Sequence, residues 1–426
     1  MSQSFQKVHA ITGMKDVLPD GSAQWEQLEK IVREWLAAYG YRNIRTPVLE
    51  HTRLFARGIG EVTDIVEKEM FTFSDREKTS MSLRPEGTAG CVRAGIDNGL
   101  LHNQQQRFWY AGPMFRHERP QAGRYRQFEQ IGAEAYGMAG PDVDVEIIAL
   151  SARLLAELGL RDAVTLELNT LGTSEARAHY RQAVVDYLTP FESELDEDSQ
   201  RRLKTNPLRI FDSKIARTRE IVADAPVFDD YLDTPSREHF AAVQQGLDAL
   251  GISYTLNPRL VRGLDYYSRT VFEWTTDRLG AQGTVCAGGR YDALVNQLGG
   301  GDVPAIGFAM GLERVVLLIK ALEQDVRVIQ APQAFVCALG DVGCAATAVA
   351  ELLRDAGVRS QVSTSGKLKS QLKRADQSGA DWALIVGEDE LAERQVQVKA
   401  LRAEQNQTHM NWSEAVEFIR RQYQAA

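Results

Sequence analysis

Apolar residues recur at steps of three and four near the amino terminus, a spacing that predicts an amphipathic helix. The positions on its apolar face are Trp25, Leu28, Val32, Trp35, Leu36 and Tyr39. Ser22 is suited to cap the start of this helix, and Gly40 is suited to end it, because glycine accepts the left-handed turn that follows a helix. We therefore expect one helix between Ser22 and Gly40.

Between Met70 and Tyr136 the pattern changes to short runs rich in aromatic and β-branched residues, separated by Gly and Pro. The runs are MFTF, SMSLRPE, RFWYAGPMFR and YRQFEQIGAEAYG. They predict strands of a mainly antiparallel sheet. A helix (DVDVEIIALSARLLAELG) and a strand (VTLELN) should follow, and the β pattern returns at Tyr254 before an apolar helix, AMGLERVVLLIKAL.

Two stretches differ from this β-rich body. Residues 172–251 are charged and helix-rich, which predicts a helical insertion between the two parts of one α+β domain, residues 1–171 and 252–325. From residue 332 to 426 strand and helix patterns alternate, which favours a small α/β domain with a largely parallel sheet. The predicted fold class is an α+β domain built on an antiparallel sheet, with a helical insertion and a carboxy-terminal α/β domain.

Composition narrows the classes of function. The 426 residues include 49 Lys plus Arg and 58 Asp plus Glu, a formal net charge of −9. A positive coat that binds nucleic acid without selection is therefore excluded, although local basic patches are not. The chain shows no apolar leader and no run of 18 apolar residues, so we expect a soluble, cytoplasmic protein without a membrane partner.

Cysteine usage agrees with a reducing compartment. The four cysteines are Cys91, Cys286, Cys337 and Cys344. They are too few and too far apart for a disulfide framework or a zinc ribbon. We expect free thiols that fill the core.

An arginine-rich hairpin is the densest cluster of candidate chemistry. One strand ends in FRHER, a Pro-Gln-Ala-Gly turn follows, and the next strand begins RYRQF. Arginine presents a planar fork of donors that pairs with two phosphate oxygens, so several guanidiniums beside one loop suit an anionic ligand. Phe128 could offer that ligand a stacking face. An exposed hairpin with solvated charges is the alternative for this segment alone.

The strand after this loop should have two faces with different tasks. Its two-residue period places Phe128, Gln130, Gly132 and Glu134 on one face and the residues between them on the other. The second face can pack on a core. The polar groups of the first face need partners if they are buried, and a bound ligand is one way to supply them. An internal hydrogen-bond network is the alternative.

Further candidate residues lie beside turns and glycines. In RPEGT a strand ends and a helix begins, so Glu86 and Thr88 could hold an ammonium group or simply cap the helix. RGLDYY and AGGRYD bring arginine and tyrosine beside glycines, where backbone can approach a ligand closely. GFAMGLER places Arg314 in the first turns of an apolar helix. Neither glycine cluster fits a phosphate loop or a dinucleotide fingerprint.

Together these segments resemble histidyl-tRNA synthetases of the bacterial type, which are class II aminoacyl-tRNA synthetases. FRHERPQAGRYRQFEQ is similar to class II motif 2, and AIGFAMGLERVVLLI is similar to motif 3. LVRGLDYYSRTVFEW and GTVCAGGRYDALVNQLGG are similar to the two histidine-specific signatures. The resemblance extends over essentially the whole chain. It implies that the α+β body is a class II catalytic domain and that residues 332–426 bind the anticodon.

The resemblance implies a histidine–tRNA ligase that works in two steps. The histidine carboxylate attacks the α-phosphate of ATP to give histidyl-adenylate and pyrophosphate, and the 3′ end of tRNA(His) then takes the histidyl group and releases AMP. ATP with Mg²⁺ is a substrate; no other cofactor and no metal site made by protein alone is implied. The family also implies a homodimer, with motif 1 near residues 41–50.

The nucleotide contacts are implied residue by residue. Arg116 and Arg262 would hold the α-phosphate from two sides as the catalytic residues, and Arg314 would grip the γ-phosphate. Glu118 would orient the adenine end, and Phe128 would stack on adenine. Fixed guanidiniums suit such a reaction because they stabilise developing negative charge without rearranging.

The implied histidine contacts are Glu86, Thr88, Gln130, Glu134, Arg262, Tyr267 and Tyr291. The first three would take the ammonium group, while Glu134 and Tyr267 would meet the two imidazole nitrogens, with Tyr291 nearby. Contacts to the acceptor end of the tRNA are implied for Gln121, Arg124 and Arg126. A basic stripe from Arg359 to Arg374 could contact RNA or be a solvated helix face.

Two rival functions remain from the residues alone. One is a non-catalytic relative such as the regulatory subunit of ATP phosphoribosyltransferase, which shares the core but usually lacks the anticodon-type domain and shows damaged ATP motifs. Here Arg116, Arg262 and Arg314 all stand in place. The other is an RNA-binding module without catalysis, which would leave the arginine and tyrosine signatures without a purpose.

Overall fold

The computed structural model describes residues 7–60, 63–213, 215–260, 264, 266–280, 283–323, 331–363 and 365–423. The chain divides into two compact units, residues 1–327 and residues 328–426. Each unit has its own sheet, and we describe them in turn.

The helices are α1 (Pro19–Ala38), α2 (Thr52–Ile59), α3 (Thr88–Asp97), α4 (Pro141–Glu157), α5 (Ser174–Leu188), α6 (Glu197–Thr205), α7 (Ala216–Ala223), α8 (Thr234–Ala249), α9 (Leu294–Gln297), α10 (Leu312–Ala321), α11 (Gly343–Asp355), α12 (Leu368–Gln377), α13 (Glu388–Glu393) and α14 (Trp412–Tyr423).

The strands are β1 (Arg42–Asn43), β2 (Leu49–His51), β3 (Thr72–Ser74), β4 (Ser80–Leu83), β5 (Gln106–Phe115), β6 (Gln127–Tyr136), β7 (Thr165–Thr170), β8 (Thr255–Leu256), β9 (Ser268–Thr275), β10 (Thr284–Arg290), β11 (Ala305–Gly311), β12 (Ala334–Ala338), β13 (Ser360–Ser363), β14 (Trp382–Val386), β15 (Gln395–Ala400) and β16 (Thr408–Asn411).

An eight-stranded sheet with the order β1-β5-β6-β11-β10-β9-β7-β8 forms the body of the first unit. Its inner pairs are antiparallel, and the two outer pairs, β1 with β5 and β7 with β8, are parallel. The mainly antiparallel sheet predicted from the sequence is therefore confirmed. Strands β2, β4 and β3 form a separate small sheet.

One face of the large sheet is closed by helices α1, α4 and α10. Ile131, Ala133 and Ala135 of β6 point into this core beside Ile147 and Val315, and all five are buried. Helices α3 and α9 flank the opposite face with a second, aromatic-rich cluster. The two-face prediction for β6 is confirmed, because alternate residues of the strand enter different environments.

The first helix begins earlier than the sequence pattern indicated. Pro19 is the first residue of α1, and Ser22 lies inside it, with its hydroxyl donating to the carbonyl of Pro19 at 3.0 Å. Proline suits the first helical position because its missing N–H has no partner to lose there. The prediction that Ser22 caps the helix is therefore wrong, whereas Gly40 follows the end in the expected left-handed conformation, with φ of 76°.

Helices α5 to α8 lie in the stretch predicted to be a helical insertion. Helices α5 to α7, with the segments that connect them, build a small core of their own around Tyr180, Val184 and Ile210. Helix α8 instead adds Val243 and Leu247 to the main core and packs against α4, where His239 Nε2 lies 3.1 Å from Asp144 Oδ1. The helical character of this stretch agrees with the prediction.

The second unit contains a five-stranded sheet with the order β13-β12-β14-β15-β16. The first three strands are parallel and the last two are antiparallel, so the sheet is mixed rather than largely parallel. Strand β14 is buried throughout, whereas β15 is buried only at alternate residues, which is typical of an antiparallel strand with one covered face. Helix α13 and strand β16 were not predicted.

All four cysteines are free thiols, as expected. Cys91, Cys286 and Cys337 are buried, but Cys344 is exposed near the start of α11. The prediction that the thiols fill the core is therefore wrong for Cys344. Among the described residues, no helix has the length and apolar character needed to cross a bilayer.

A buried glutamine extends the strand pairing of the second unit. Gln371 of α12 is fully buried; its amide nitrogen donates to the carbonyl of Ala338 at 2.6 Å, and its oxygen accepts from the N–H of Ala338 at 3.0 Å. The pairing of β12 with β13 reaches only to Cys337 and Ser363. The side chain therefore satisfies the backbone groups of the next residue.

We predict that Gln371→Leu destabilises the second unit by about 2 kcal/mol or more, because two buried backbone groups lose their partner. Hydrogen exchange of the intact protein should show faster exchange in β12 and α12. Gln377→Leu, at an exposed position of the same helix, is the control and should change stability by less than about 0.5 kcal/mol. Equal exchange in both variants would contradict the proposed role of the amide.

Candidate active site

A cleft of about 250 Å³ opens on the face of the large sheet opposite the main helical core. The predicted site residues that line it are Glu86, Thr88, Arg116, Glu118, Arg124, Phe128, Gln130, Tyr267 and Arg314. They come from five separate parts of the chain. The structure therefore brings together most of the residues that the sequence singled out.

Small residues form the floor of this cleft. Gly132 of β6 pairs with Ala309 of β11, which in turn pairs with Ala287 of β10. Both alanines line the cleft. The methyl groups of these two alanines leave room above β10 and β11 for a flat or extended ligand, whereas the Tyr110 ring covers Gly132.

Three arginines give one end of the cleft a positive charge. Burial, together with the neighbouring Arg124 and Arg116, lowers the pKa of Arg314 from its ordinary value. The side chain of Arg314 donates to the carbonyls of Gly123, at 3.2 Å, and Thr284, at 2.6 Å. Backbone contacts of this kind hold the guanidinium in place, and an anion bound here would relieve the repulsion among the arginines.

Phe128 and Glu118 complete this end. The Arg116 guanidinium carbon lies 5.2 Å from the centre of the Phe128 ring, while Arg116 Nε donates to the carbonyl of Pro85 at 2.9 Å. Glu118 accepts an ion-pair contact from Arg124 Nε at 2.6 Å. The loop therefore carries positive charge that is ordered by its own carboxylate, unlike the freely solvated hairpin considered as the alternative.

The loop that joins β5 and β6 is tied to the amino-terminal segment. Gln121 and Arg124 exchange backbone hydrogen bonds across a tight turn. The N–H of Arg126 donates to the carbonyl of Gly13 at 2.7 Å, and Lys15 Nζ lies 3.2 Å from the hydroxyl of Tyr125. The sequence reasoning missed this contact, because more than a hundred residues separate its two sides.

At the other end of the cleft, a turn connects β4 to α3. The carboxylate of Glu86 accepts from the backbone N–H groups of Thr88, at 2.6 Å, and Ala89, at 3.0 Å. Gln130 Oε1 accepts from the N–H of Gly87 at 3.2 Å. Glu86 thus caps the helix, as its alternative interpretation held, and it also lines the cleft. Burial raises the pKa of Glu86.

Glu134 does not line the cleft itself; it is 1% exposed and lies behind Thr88, which does line it. Thr88 Oγ1 donates to its Oε1 at 2.7 Å, and the Tyr291 hydroxyl donates to its Oε2 at 2.5 Å. Burial raises the pKa of Glu134 to about 8, whereas the hydroxyl donors act in the opposite direction. The internal hydrogen-bond network considered for this face therefore exists, and Thr88 connects it to the cleft.

An aromatic cluster surrounds Glu134. The rings of Tyr266 and Tyr267 lie 4.6 Å apart, and the ring of Tyr291 lies 5.5 Å from Tyr266 and 6.4 Å from Tyr267. Tyr267 lines the cleft, whereas the fully buried Tyr291 does not. The predicted residue Arg262 lies outside the described residues.

A buried ion cluster behind the site was not predicted. Arg290 is fully buried, contacts both carboxylate oxygens of Asp144, and donates to the carbonyls of Met138 and Gly140. His239 of α8 contacts the same carboxylate, and these partners lower the pKa of Asp144 despite its burial. The arginine of AGGRYD thus anchors the strand end that carries Tyr291, rather than facing a ligand.

Comparison with known proteins places this geometry in a family. A family model described as histidyl-tRNA synthetase matches residues 13–315. The chain belongs to the histidyl-tRNA synthetase family. A second model, described as an anticodon binding domain, matches residues 333–422 of the synthetase.

Solved structures resemble the synthetase over almost its whole length. The apo structure of S. aureus histidyl-tRNA synthetase has 33% identity and a TM-score of 0.83, covering 97% of this chain and 100% of that chain. Histidyl-tRNA synthetase from Nostoc sp. PCC 7120 has 19% identity and a TM-score of 0.68, covering 98% and 100%.

A third structure combines the two functions in its description. The ATP phosphoribosyltransferase regulatory subunit/histidyl-tRNA synthetase from Bacillus halodurans C has 20% identity and a TM-score of 0.65, covering 90% of the synthetase and 99% of that chain. At this identity, as for the Nostoc protein, the likeness is one of fold.

The comparisons confirm the function and fold class expected from the sequence. The synthetase is an aminoacyl-tRNA ligase that joins histidine to tRNA, and its catalytic domain is of class II. Its anticodon-binding domain lies at the carboxy-terminal side. Histidine, ATP and tRNA are the substrates that these domains imply.

We predict that Gly307→Ala weakens histidine binding by about tenfold or more, the effect of losing one hydrogen bond to a charged group. A Cβ on Gly307 would lie 1.7 Å from Glu134 Oε2 and 2.6 Å from the Ala133 carbonyl oxygen, so the carboxylate and the adjoining backbone must move. The KM values for histidine and ATP in pyrophosphate exchange measure the effect, and the KM for ATP should change far less. In the control Gly301→Ala nothing lies within 4 Å of the added atom. An unchanged KM for histidine in Gly307→Ala would contradict the inference that Gly307 leaves room for the Glu134 carboxylate.

Proposed function

We propose that the cleft forms histidyl-adenylate by holding ATP at its arginine end and histidine at its Glu86 and Glu134 end. One observation carries the proposal: the guanidiniums of Arg116, Arg124 and Arg314 line the same cleft as the carboxylate of Glu86, above the alanine floor of β10 and β11. A carboxylate oxygen of histidine would attack the α-phosphorus in line, and the bond to pyrophosphate would break. ATP would bring Mg²⁺ on its phosphates, as is typical of this family.

At the nucleotide end, Arg116 would bind the α-phosphate and Arg314 the γ-phosphate. The backbone contacts of both side chains support these roles, since a fixed cation does not reorganise as charge develops. Phe128 would stack on adenine with the ring face that Arg116 leaves open. Glu118 would orient the adenine end while it holds Arg124. Arg262 would meet the α-phosphate from the other side, a role that rests on the family signature alone.

At the amino-acid end, the ammonium group would meet Glu86, Thr88 and Gln130, which line the cleft together. Glu134 and Tyr267 would meet the imidazole nitrogens, and Tyr291 would hold Glu134 in place. A neutral imidazole offers one donor and one acceptor, and a carboxylate opposite a phenol can distinguish both. Such a site discriminates strongly against amino acids that lack the imidazole donor and acceptor, because an analogue without them leaves a buried partner unpaired.

The loop after β5 would contact the acceptor end of tRNA through Gln121, Arg124 and Arg126. In the anticodon-binding domain, we propose a narrower basic surface than the whole stripe from Arg359 to Arg374. Arg374 donates to Ser363 and Ser365, and Arg359 donates to Ala331, so both guanidiniums are engaged within the domain. The exposed lysines carry the remaining charge; they are Lys367, Lys369 and Lys373.

We also propose a cytoplasmic homodimer with the domain boundaries given above. Leu49 and Phe73, on the two outer strands of the small sheet, are 38% and 45% exposed, and apolar groups so placed favour a protein partner. The free cysteines favour a reducing compartment. The regulatory-subunit alternative fits less well, because a complete arginine end and an anticodon-binding domain would have no use there.

The proposal predicts that the purified protein exchanges pyrophosphate into ATP only when histidine and Mg²⁺ are present. It further predicts that Arg262→His abolishes adenylate formation while the histidine Kd stays within about tenfold, since the lost charge stabilises the transition state more than the ground state. Isothermal titration with histidine measures the second quantity. A large loss of histidine affinity would instead assign Arg262 to the amino acid.

For the anticodon-binding domain, we expect Lys369→Glu combined with Lys373→Glu to raise the KM for tRNA by roughly tenfold at low salt, because two phosphate contacts become repulsive. Pyrophosphate exchange should stay unchanged, since it needs no tRNA. The matched control is Lys320→Glu, an exposed charge reversal on α10 of the catalytic body. If the double variant charges tRNA with wild-type KM, α12 is only a solvated face.

A further inference from the structure

Tyr110 of β5 lies next to the histidine end but belongs to none of the roles above. It is buried, and its hydroxyl lies 3.2 Å from Glu134 Oε1 and 3.4 Å from Thr88 Oγ1. It therefore contacts both the carboxylate proposed for the imidazole and the hydroxyl proposed for the ammonium group. The sequence marked this strand only as a β run.

Two glycines make room for the Tyr110 ring. A Cβ on Gly87 would lie 2.1 Å from Tyr110 Cε2, and a Cβ on Gly132 would lie 2.3 Å from Cζ. Gly87 has a φ of −103°, and Gly132 has no positive φ, so neither backbone conformation requires glycine. The close approach of the ring is the reason that no side chain fits at either position.

The hydroxyl contacts of Glu134 leave few of its acceptor positions open to a ligand. A carboxylate has about four acceptor positions. Among the described residues, Thr88 and Tyr110 both donate to Oε1, and Tyr291 donates to Oε2. The contacts therefore fill Oε1 and leave one acceptor position on Oε2. An N–H of a neutral imidazole is the group that fits such an acceptor.

We propose that Tyr110 is a positioning residue for histidine recognition, whose hydroxyl occupies one oxygen of Glu134 and keeps that carboxylate an acceptor for the imidazole N–H of histidine. This inference rests on the proposed role of Glu134. Tyr110 acts through Glu134 and Thr88 and does not line the cleft itself.

The affinity for histidine should depend on pH. Glu134 accepts an N–H much more strongly when it is ionised, so histidine affinity should rise as pH increases through the pKa of Glu134, about 8. The Tyr110 hydroxyl lowers this pKa, and its removal raises it. The rise in affinity should then move to higher pH.

The groups that face Glu134 do not obscure this ionisation. Glu86 raises its pKa by charge repulsion, and the other titratable groups that interact with it are Tyr41, Cys91, Tyr110, Tyr136, Tyr266 and Tyr291. Burial raises the pKa of each of these six above its ordinary value. They therefore stay neutral between pH 7 and 9, where the change is sought.

The test compares wild type, Tyr110→Phe and Tyr136→Phe between pH 7 and 9. Tyr136 is an equally buried tyrosine whose hydroxyl is not bonded to Glu134, so Tyr136→Phe controls for the loss of a buried hydroxyl. Histidine Kd by titration calorimetry, and the KM for histidine and ATP in pyrophosphate exchange, are measured for each protein.

We expect Tyr110→Phe to bind histidine about tenfold more weakly at pH 7.5, a typical effect of one hydrogen bond to a charge. The deficit should narrow toward pH 9, and the KM for ATP should stay within about twofold. Tyr136→Phe should follow the wild-type profile. A merely structural defect would instead weaken binding equally at all pH values, and that result, or a wild-type profile for Tyr110→Phe, would overturn the inference.

A second variant covers the case in which Tyr110→Phe does not fold. Gly132→Ala keeps the hydroxyl but displaces the ring that carries it, so it should show the same shift to higher pH, and a wild-type profile would overturn the inference. Failure of the proposed function looks different. Wild-type protein would then show no histidine-dependent exchange at any pH, whereas failure of the inference leaves wild-type exchange intact.

Discussion

The alternation of side chains along β6 is the constraint on which the catalytic unit depends. Ile131, Ala133 and Ala135 enter the main core, while Gln130 and Glu134 face the site. Because the period is two, a shift of one residue would exchange the two sets and place carboxylate and amide groups in the core. Pairing with β5 along ten residues and with β11 along seven prevents that shift. The register of β6 therefore determines both the stability of the core and the geometry of the site.

Charge is distributed across the cleft in a way that suits two substrates of opposite local charge. Three guanidiniums line the cleft together with Glu86, and the Glu134 carboxylate lies behind Thr88; both carboxylates accept hydrogen bonds from backbone or hydroxyl groups. Burial of these groups costs free energy in the empty protein, as the shifted pKa values of Arg314 and Glu134 indicate. Substrates that complete the charge pairs recover part of that cost.

The sequence predicted what depends on local pattern and missed what depends on contacts between distant segments. Strands β5 and β6 were recognised because aromatic and β-branched runs are strong signals, whereas the start of α1 depends on Pro19. The arginines of the loop between β5 and β6 and the Glu86 turn were found because their residues cluster along the chain. Tyr110, the cluster of Asp144 with His239, and the Lys15 contact were missed, since each joins segments far apart. A glycine inside a strand, Gly132, was the available hint that a large ring approaches there.

The contact of the Gly13 carbonyl with Arg126 bears on how the protein is handled. Gly13 has a φ of 87°, and a Cβ there would meet Arg126 and Pro120 at 2.9 Å, so the segment fits closely against the loop between β5 and β6. A peptide fused directly ahead of this segment would be tethered close to that loop. A tag in that position is therefore poorly placed for kinetic work.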